Sequence, residues 1–276
     1  MLDPRLADNL ALWDSRVRDH VGSGFYDLRG FLAGADPLTS LEDAALGSVD
    51  GLSVLHLMCH FGLDSLALAR RGARVTGVDF APQAVEVARA IAARTGLPAR
   101  FVESEVTQAP AVLEGEGFDR VFSSWGVTCW LPDLDAWARA IAACLVPGGA
   151  FHLLEVHPMA WVFLDPGDAG RECAYPVMPY QTDGVTVSQD VEGSYASDRV
   201  IPGRQHLWHH GVGRVVTALA GAGLVVERLI ERDVVTTPVL PALVRRSDGL
   251  WTWRAGAPAL PLSYEVCARR PEVSGR

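Results

Sequence analysis

Residues 55–65 read LHLMCHFGLDS. An apolar run, SVLHLMC (53–59), passes through a turn holding Gly62 into DSLALARRG (64–72), whose apolar residues recur at helical spacing until Gly72 ends the pattern. A strand that turns tightly into a helix leaves backbone N–H groups free at a positive helix end, which suits a carboxylate or a phosphate. Nucleotide-binding turns commonly carry two more glycines, and here Met58 and His60 stand in those places. The backbone from Cys59 to Gly62 reaches a ligand only if those two side chains turn aside.

The same alternation continues on both sides of this stretch. RVTGVDF (74–80) reads as a strand and PQAVEVARAIAARTG (82–96) as a helix, with Pro82 in its first turn and Gly96 past its end. ARFVESE (99–105), FDRVFSSWG (118–126) and GAFHLLEVHP (149–158) add three strands, and LPDLDAWARAIAACLVPGG (131–149) supplies the helix before the last of them. Strands alternating with helices imply right-handed βαβ units and a mostly parallel sheet, with ligands bound beyond the carboxyl ends of the strands where strand order reverses.

Residues 4–20 place Leu6, Leu10, Leu12, Trp13 and Val17 near one side of a helix, and His20 reads as a surface or helix-end residue. Prolines 158, 166, 176 and 179 break the rhythm after the fifth strand, and VTVSQDVEGSYAS (185–197) has the alternation of a short antiparallel strand. A helix over about 210–222 follows, and LVVERLIERDV with LSYEVCARR predicts an antiparallel pair closing the sheet.

Apolar residues make up 49% of the 276 and charged ones 21%, so a folded globular chain is expected rather than long disorder. The net charge is −9 and all 24 basic residues are arginines, with no basic stripe; nucleic acid is disfavoured as a partner and a small molecule favoured. Cys59, Cys129, Cys144, Cys173 and Cys267 are odd in number and show no CxxC spacing, as expected of reduced thiols. The first twenty residues lack the apolar core of a secretory signal, and no apolar run reaches about 18 residues, so no membrane association is expected and a cytoplasmic location is.

Four consecutive strand ends carry groups suited to an adenosine ligand. Asp79 can accept two ribose hydroxyls, Phe80 offers a flat face to a purine, and Glu105, Ser124 and Trp125 follow at the next two ends. On these residues the chain resembles the class I S-adenosylmethionine-dependent methyltransferases, from about residue 50 to 155 and again at the C-terminal strand pair. VLHLMCHFG stands at the cofactor loop, with His56 where the family usually has an acid. GVDFAP stands at the ribose-binding strand end, FVESEV at the adenine-contacting segment, and FDRVFSSWGV with LVPGGAFHLLE at the fourth and fifth strands. The HFG turn, CWLPD, GSYAS and WHHGVGRVVTAL further resemble a bacterial subfamily acting on small molecules in metabolism, secondary metabolism included.

The resemblance implies an α/β, Rossmann-like, doubly wound and mostly parallel seven-stranded sheet, with an antiparallel C-terminal strand pair, an N-terminal helical lead-in and an inserted cap. It implies a single methyltransferase domain over 1–276: an N-terminal helical lid at 1–45, a cofactor-binding core at 50–157, a substrate cap at 158–205, and the rest of the core at 206–276. S-adenosylmethionine would be the cofactor and S-adenosylhomocysteine the product. Tyr26, Cys59, His60, Gly62, Asp79, Phe80, Glu105, Val106, Ser124 and Trp125 are the candidate cofactor contacts.

Methyl transfer is an in-line displacement that chiefly needs alignment and exclusion of water, with a base only for a poorly acidic acceptor. Glu155 and His157 alternate along the fifth strand's end, and His210 opens a helix after the cap beside His209; Glu155, His157 and His210 are the candidate catalytic residues. No metal is expected, because the His and acid positions lack ligand spacing. The partner would be a small-molecule methyl acceptor, and the protein a monomer or homodimer. Two other readings stay open: a protein that binds S-adenosylmethionine or S-adenosylhomocysteine without methyl transfer, and a nicotinamide-dependent dehydrogenase, whose GxGxxG turn this chain lacks.

Overall fold

The computed structural model describes residues 3–163, 177–197, 199–257 and 259–272. Pro166, Cys173, Tyr175 and Pro176 of the cap lie outside the described residues.

The apolar runs become seven strands of one sheet: β1 (Ser53–Leu57), β2 (Arg74–Asp79), β3 (Ala99–Glu103), β4 (Phe118–Ser124), β5 (Leu145–Val156), β6 (Val225–Arg232) and β7 (Ser263–Arg269). Their order across the sheet is β3, β2, β1, β4, β5, β7, β6. The first five are parallel, and β7 runs antiparallel to both β5 and β6. Strand order therefore reverses between β1 and β4, which opens the crevice between the turn after β1 and the end of β4.

The helices, in chain order, are α1 (Pro4–Gly22), α2 (Leu28–Leu32), α3 (Ser40–Leu46), α4 (Leu63–Arg70), α5 (Pro82–Thr95), α6 (Ala109–Val112), α7 (Leu134–Cys144), α8 (Pro158–Trp161) and α9 (Val212–Gly221). Both faces of the sheet are covered, which is why its inner strands are apolar without alternation. Val54 of β1 packs with Val17, Phe31, Leu66 and Val85 of the helices on one face. Its neighbour Leu55 points the other way, into a core with Trp137, Ile141, Val215 and Leu219 of α7 and α9.

Val187–Val191 does form an antiparallel strand, paired with Gly203–Leu207. This hairpin lies on α1 and is tied to it at the backbone: Asn9 donates from Nδ2 to the His206 carbonyl and accepts the His206 N–H, both at 2.8 Å. A side chain at Gly203 would meet Leu12 Cδ1 at 2.6 Å, so glycine is what permits this closeness. The Pro-rich C-terminal stretch holds a feature that the sequence pattern did not announce, a small sheet of Leu243–Arg245, Trp251–Trp253 and Val234–Val235. Strands of two or three residues are too short to display a period of two.

Candidate functional site

The turn after β1 solves the problem posed by Met58 and His60 with backbone strain. Met58 (φ 59°), His60 (φ 51°) and Gly62 (φ 77°) all adopt the left-handed conformation, at about 1 kcal/mol or more for each of the two non-glycine residues. Both side chains leave the crevice. Met58 packs toward the core beneath the far face of the sheet, while the His60 ring points at α1, where its Nε2 lies 2.9 Å from His20 Nδ1. At Gly62 the strain argument gives way to space, since a Cβ there would meet the Phe101 ring at 2.5 Å. His56, standing at the acid's usual place, turns into the helix layer, with Nδ1 2.9 Å from Ser65 Oγ; burial takes its pKa down to about 3. It is neutral and has left the site.

Asp79 closes the turn from the end of β2. Its Oδ2 accepts the His60 N–H at 2.7 Å and its Oδ1 the Ala81 N–H at 3.0 Å, so it both pins the turn and caps the chain entering α5. Each oxygen retains lone pairs for a hydroxyl donor. Burial pushes the carboxyl up to about 6, against the pull of the Ala81 and His60 N–H groups. Phe80 is partly buried beside it. The Cys59 N–H is already paired with the Val78 carbonyl at 3.1 Å and its thiol is buried, so Cys59 shapes the turn from behind. Glu105 precedes a short 3-10 turn (Val106–Gln108) and accepts the Thr107 N–H at 2.9 Å; Val106 is buried beneath it.

At the end of β4, Ser124 and Trp125 face the turn. Trp125 is also left-handed (φ 51°), and its indole N–H donates to Glu42 of α3. Tyr26 packs edge-on against Phe61 and His60, with ring centroids 4.8 and 5.4 Å apart, and its hydroxyl bonds that of Tyr195. Three of the described non-glycine residues with positive φ thus cluster at two strand ends, as strained residues do where a site dictates the backbone.

Two residues to which the sequence assigned no place in the site complete the arrangement. Asp64, in the first turn of α4, is partly buried beside the turn, 3.5 Å from Ser124 Oγ. His20 is fully buried rather than on the surface, and its Nε2 lies 2.5 Å from Ser194 Oγ of the 193–197 segment. Trp13 packs edge-on against His60 at 5.5 Å and Trp130 at 5.2 Å. The roof over the turn is therefore built by α1 and the segment around Tyr195 together.

The structure corrects the reading of Glu155. Its carboxylate is 2% exposed and accepts the N–H groups of Gly126, Val127, Thr128 and Val156, so it anchors the loop after β4 and presents no free oxygen to a substrate. His157 is likewise engaged at both nitrogens. Nδ1 accepts the Met159 N–H at 3.1 Å, capping α8, and Nε2 lies 2.7 Å from Glu231 Oε1. Its lone pair is thus spent on the helix, and its proton holds Glu231 at the edge of a groove lined by Ser40, Leu41, Val234, Leu250 and Leu260. His157→Ala is expected to cost about 1–2 kcal/mol of stability and leave cofactor affinity unchanged, read by thermal melts and calorimetry. Lost turnover at unchanged stability would instead assign it the proton-accepting role.

His210 differs. Its Nε2 is 2.8 Å from the Leu131 carbonyl, which can only accept, so Nε2 carries the proton and Nδ1 keeps a lone pair. Burial lowers its pKa, leaving the ring neutral. His209 is buried, with no partner for Nε2 among the described residues. Among the described residues no group of three His, Cys, Asp or Glu could hold a metal ion, and no helix is long and apolar enough to cross a membrane.

Residues 54–149 match the methyltransferase domain family. A ubiquinone biosynthesis O-methyltransferase of Methylobacterium nodulans is 38% identical over 37% of this chain and 40% of its own length. One from Photorhabdus laumondii is 28% identical over 58% of this chain and 68% of its own. The chain thus spans about 40% of the length of the first of these relatives. Among solved structures, an S-adenosylmethionine-dependent methyltransferase from Mesorhizobium loti superposes with a TM-score of 0.58 at 25% identity, covering 87% of this chain and all of that one. The sheet order and the match over residues 54–149 give this chain the fold of the S-adenosylmethionine-dependent methyltransferases, with a methyltransferase domain over those residues.

Proposed function

We propose that the protein transfers the methyl group of S-adenosylmethionine to an O, N or C centre of a small-molecule acceptor. The observation that carries this reading is Asp79, whose carboxylate stands over the β1 turn at the switch point with acceptor capacity to spare. The residues fit the group. Asp79 takes the ribose hydroxyls, Phe80, Glu105 and Val106 border the base, and the turn from Cys59 to Gly62 faces the methionine portion. Tyr26, Ser124 and Trp125 line the remaining side.

The bound sulfonium supplies an activated methyl, and the chain's task is alignment and dryness. The described residues of 1–45 and 158–205 serve as the lid and cap. That role is supported by the Asn9 clamp on the hairpin and by the Tyr26–Tyr195 contact across the turn. His210 is the candidate general base, supported by its Nδ1 lone pair, unpartnered among the described residues, beside the loop after β4. The relatives' name makes a hydroxyl the first acceptor to test.

The test is a thermal-shift comparison followed by a search for turnover. S-adenosylhomocysteine at a hundred times its dissociation constant adds about 2.7 kcal/mol, a rise of roughly 5–10 °C, and NAD is expected to add nothing. Stabilisation by NAD alone would sink the proposal. Homocysteine-thioether formation across hydroxylated aromatic acceptors then separates an enzyme from a protein that only binds the cofactor.

A further inference from the structure

We infer that Asp64 binds the α-ammonium of the cofactor's methionine portion. The inference rests on the cofactor reading above and adds a residue to it. His56 has turned into the helix layer onto Ser65 and is neutral, so the end of β1 offers no anion. Asp64 lies eight residues further on in the chain, beyond the turn and at the start of α4, where the β1 turn meets the end of β4. Among the described residues its one hydrogen bond is a long one, 3.5 Å from Ser124 Oγ to Oδ2, which leaves Oδ1 without a partner there and Oδ2 weakly held.

The charges around Asp64 call for a cation. Glu42 of α3 and Asp36 just before that helix both act on it as like charges, and neither Asp64 nor Glu42 forms an ion pair among the described residues. Glu42 itself is committed, to the Trp125 indole and the Thr39 N–H at 2.8 Å. From the other elements Asp64 is felt by the Tyr26 hydroxyl and the Cys59 thiol, both neutral, and Ser124 faces it from β4. Asp79 stands across the same turn. Two carboxylates thus flank the backbone with no side-chain cation between them among the described residues, and the ligand's ammonium supplies the missing charge. Gly62, at the helix start, makes no side-chain cap, so the first N–H groups of α4 are left for the ligand's own carboxylate. An ammonium and a carboxylate on one carbon match this pairing of acid and helix end.

Binding is then linked to a proton. Burial and the Glu42 charge push the Asp64 carboxyl up to about 7. Only the anion holds an ammonium well, so the ligand must expel that proton below this pH, and affinity rises as pH increases through about 7 and levels off above it.

The experiment compares S-adenosylhomocysteine with 5'-methylthioadenosine by calorimetry between about pH 6 and pH 8. The second ligand shares the adenosine but lacks the amino acid. Asp64→Asn is expected to weaken S-adenosylhomocysteine about tenfold or more, leave methylthioadenosine unchanged, and flatten the pH dependence of the first toward that of the second. Equal binding of S-adenosylhomocysteine by variant and wild type overturns the inference, as does an equal loss for both ligands, which would make Asp64 a scaffold residue. Should the variant not fold, the wild type decides: affinities for the two ligands that run parallel with pH overturn the assignment. Wild-type protein that binds neither ligand overturns the cofactor reading itself, a different and recognisable failure.

Discussion

Asp79→Asn is expected to raise the dissociation constants of S-adenosylmethionine and S-adenosylhomocysteine about a hundredfold. Each hydrogen bond from a ribose hydroxyl to an ionised carboxylate is worth roughly 1.5 kcal/mol or more, and two such bonds give about 3 kcal/mol, two powers of ten in affinity. Asparagine keeps the shape but can offer one oxygen only. Its amide nitrogen must then face either the His60 or the Ala81 N–H, which Asp79 now accepts at 2.7 and 3.0 Å, so the turn also loses an anchor. Asp79 is proposed for the part of the ligand that methylthioadenosine shares, unlike Asp64, and all three ligands are expected to weaken together. Because burial holds the Asp79 carboxyl at about 6, wild-type affinity also falls as pH drops through that value, and the variant loses this step. Calorimetry at neutral pH is the measurement, and an affinity within threefold of wild type would falsify the ribose assignment.

The legible part of this site was the part written locally. Strand ends showed because a parallel sheet covered on both faces makes each strand an unbroken apolar run, and Asp79 showed because an acid ends such a run just before Pro82. The turn's conformation did not show, since positive φ is uncommon for any residue but glycine, and of Met58 and His60 only the histidine belongs to a type enriched there. His20 was half legible: it does stand at the end of α1, but it also follows Trp13 and Val17 at i+7 and i+3, on the face α1 buries, and its polarity masked the periodicity that places it at 0% exposure instead of on the surface. Asp64 had no distinguishing signal, because an acid in the first turn of a helix is the ordinary complement to the helix dipole. Glu42 was half legible, since Thr39-x-x-Glu42 is a capping box, yet its bond to Trp125 spans 83 residues and no local pattern encodes it. Glu155 and His157 were found for a sound reason, their shared face at the end of β5. What they do there depended on the partners that the fold brings to them, the N–H groups of 126–128 and the carboxylate of Glu231.

Glu155→Ala is expected to lower stability by about 3–5 kcal/mol, a drop of roughly 10 °C in Tm, before any effect on chemistry is read. The carboxylate accepts four backbone N–H groups in the interior, and alanine leaves the donors at 126–128 and 156 to find water or go unpaired, at about 1–3 kcal/mol for each that stays unpaired. The burial that raises its pKa is only partly offset by those N–H bonds, and the net direction is upward. The sign follows from that. A carboxyl whose folded pKa exceeds its unfolded value contributes stability at low pH that is lost as pH rises through the folded value, so Glu155→Gln, which cannot ionise, should recover relative to wild type toward higher pH. Glutamine still offers only one acceptor oxygen to the loop and should fall between alanine and wild type at low pH. The loop it anchors carries Trp125 on one side and, through the Leu131 carbonyl, the His210 ring on the other. Weakened cofactor binding and turnover in Glu155→Ala should accordingly track its melting temperature and recover on cooling. Lost turnover in a variant that melts like wild type would return Glu155 to the reacting centre.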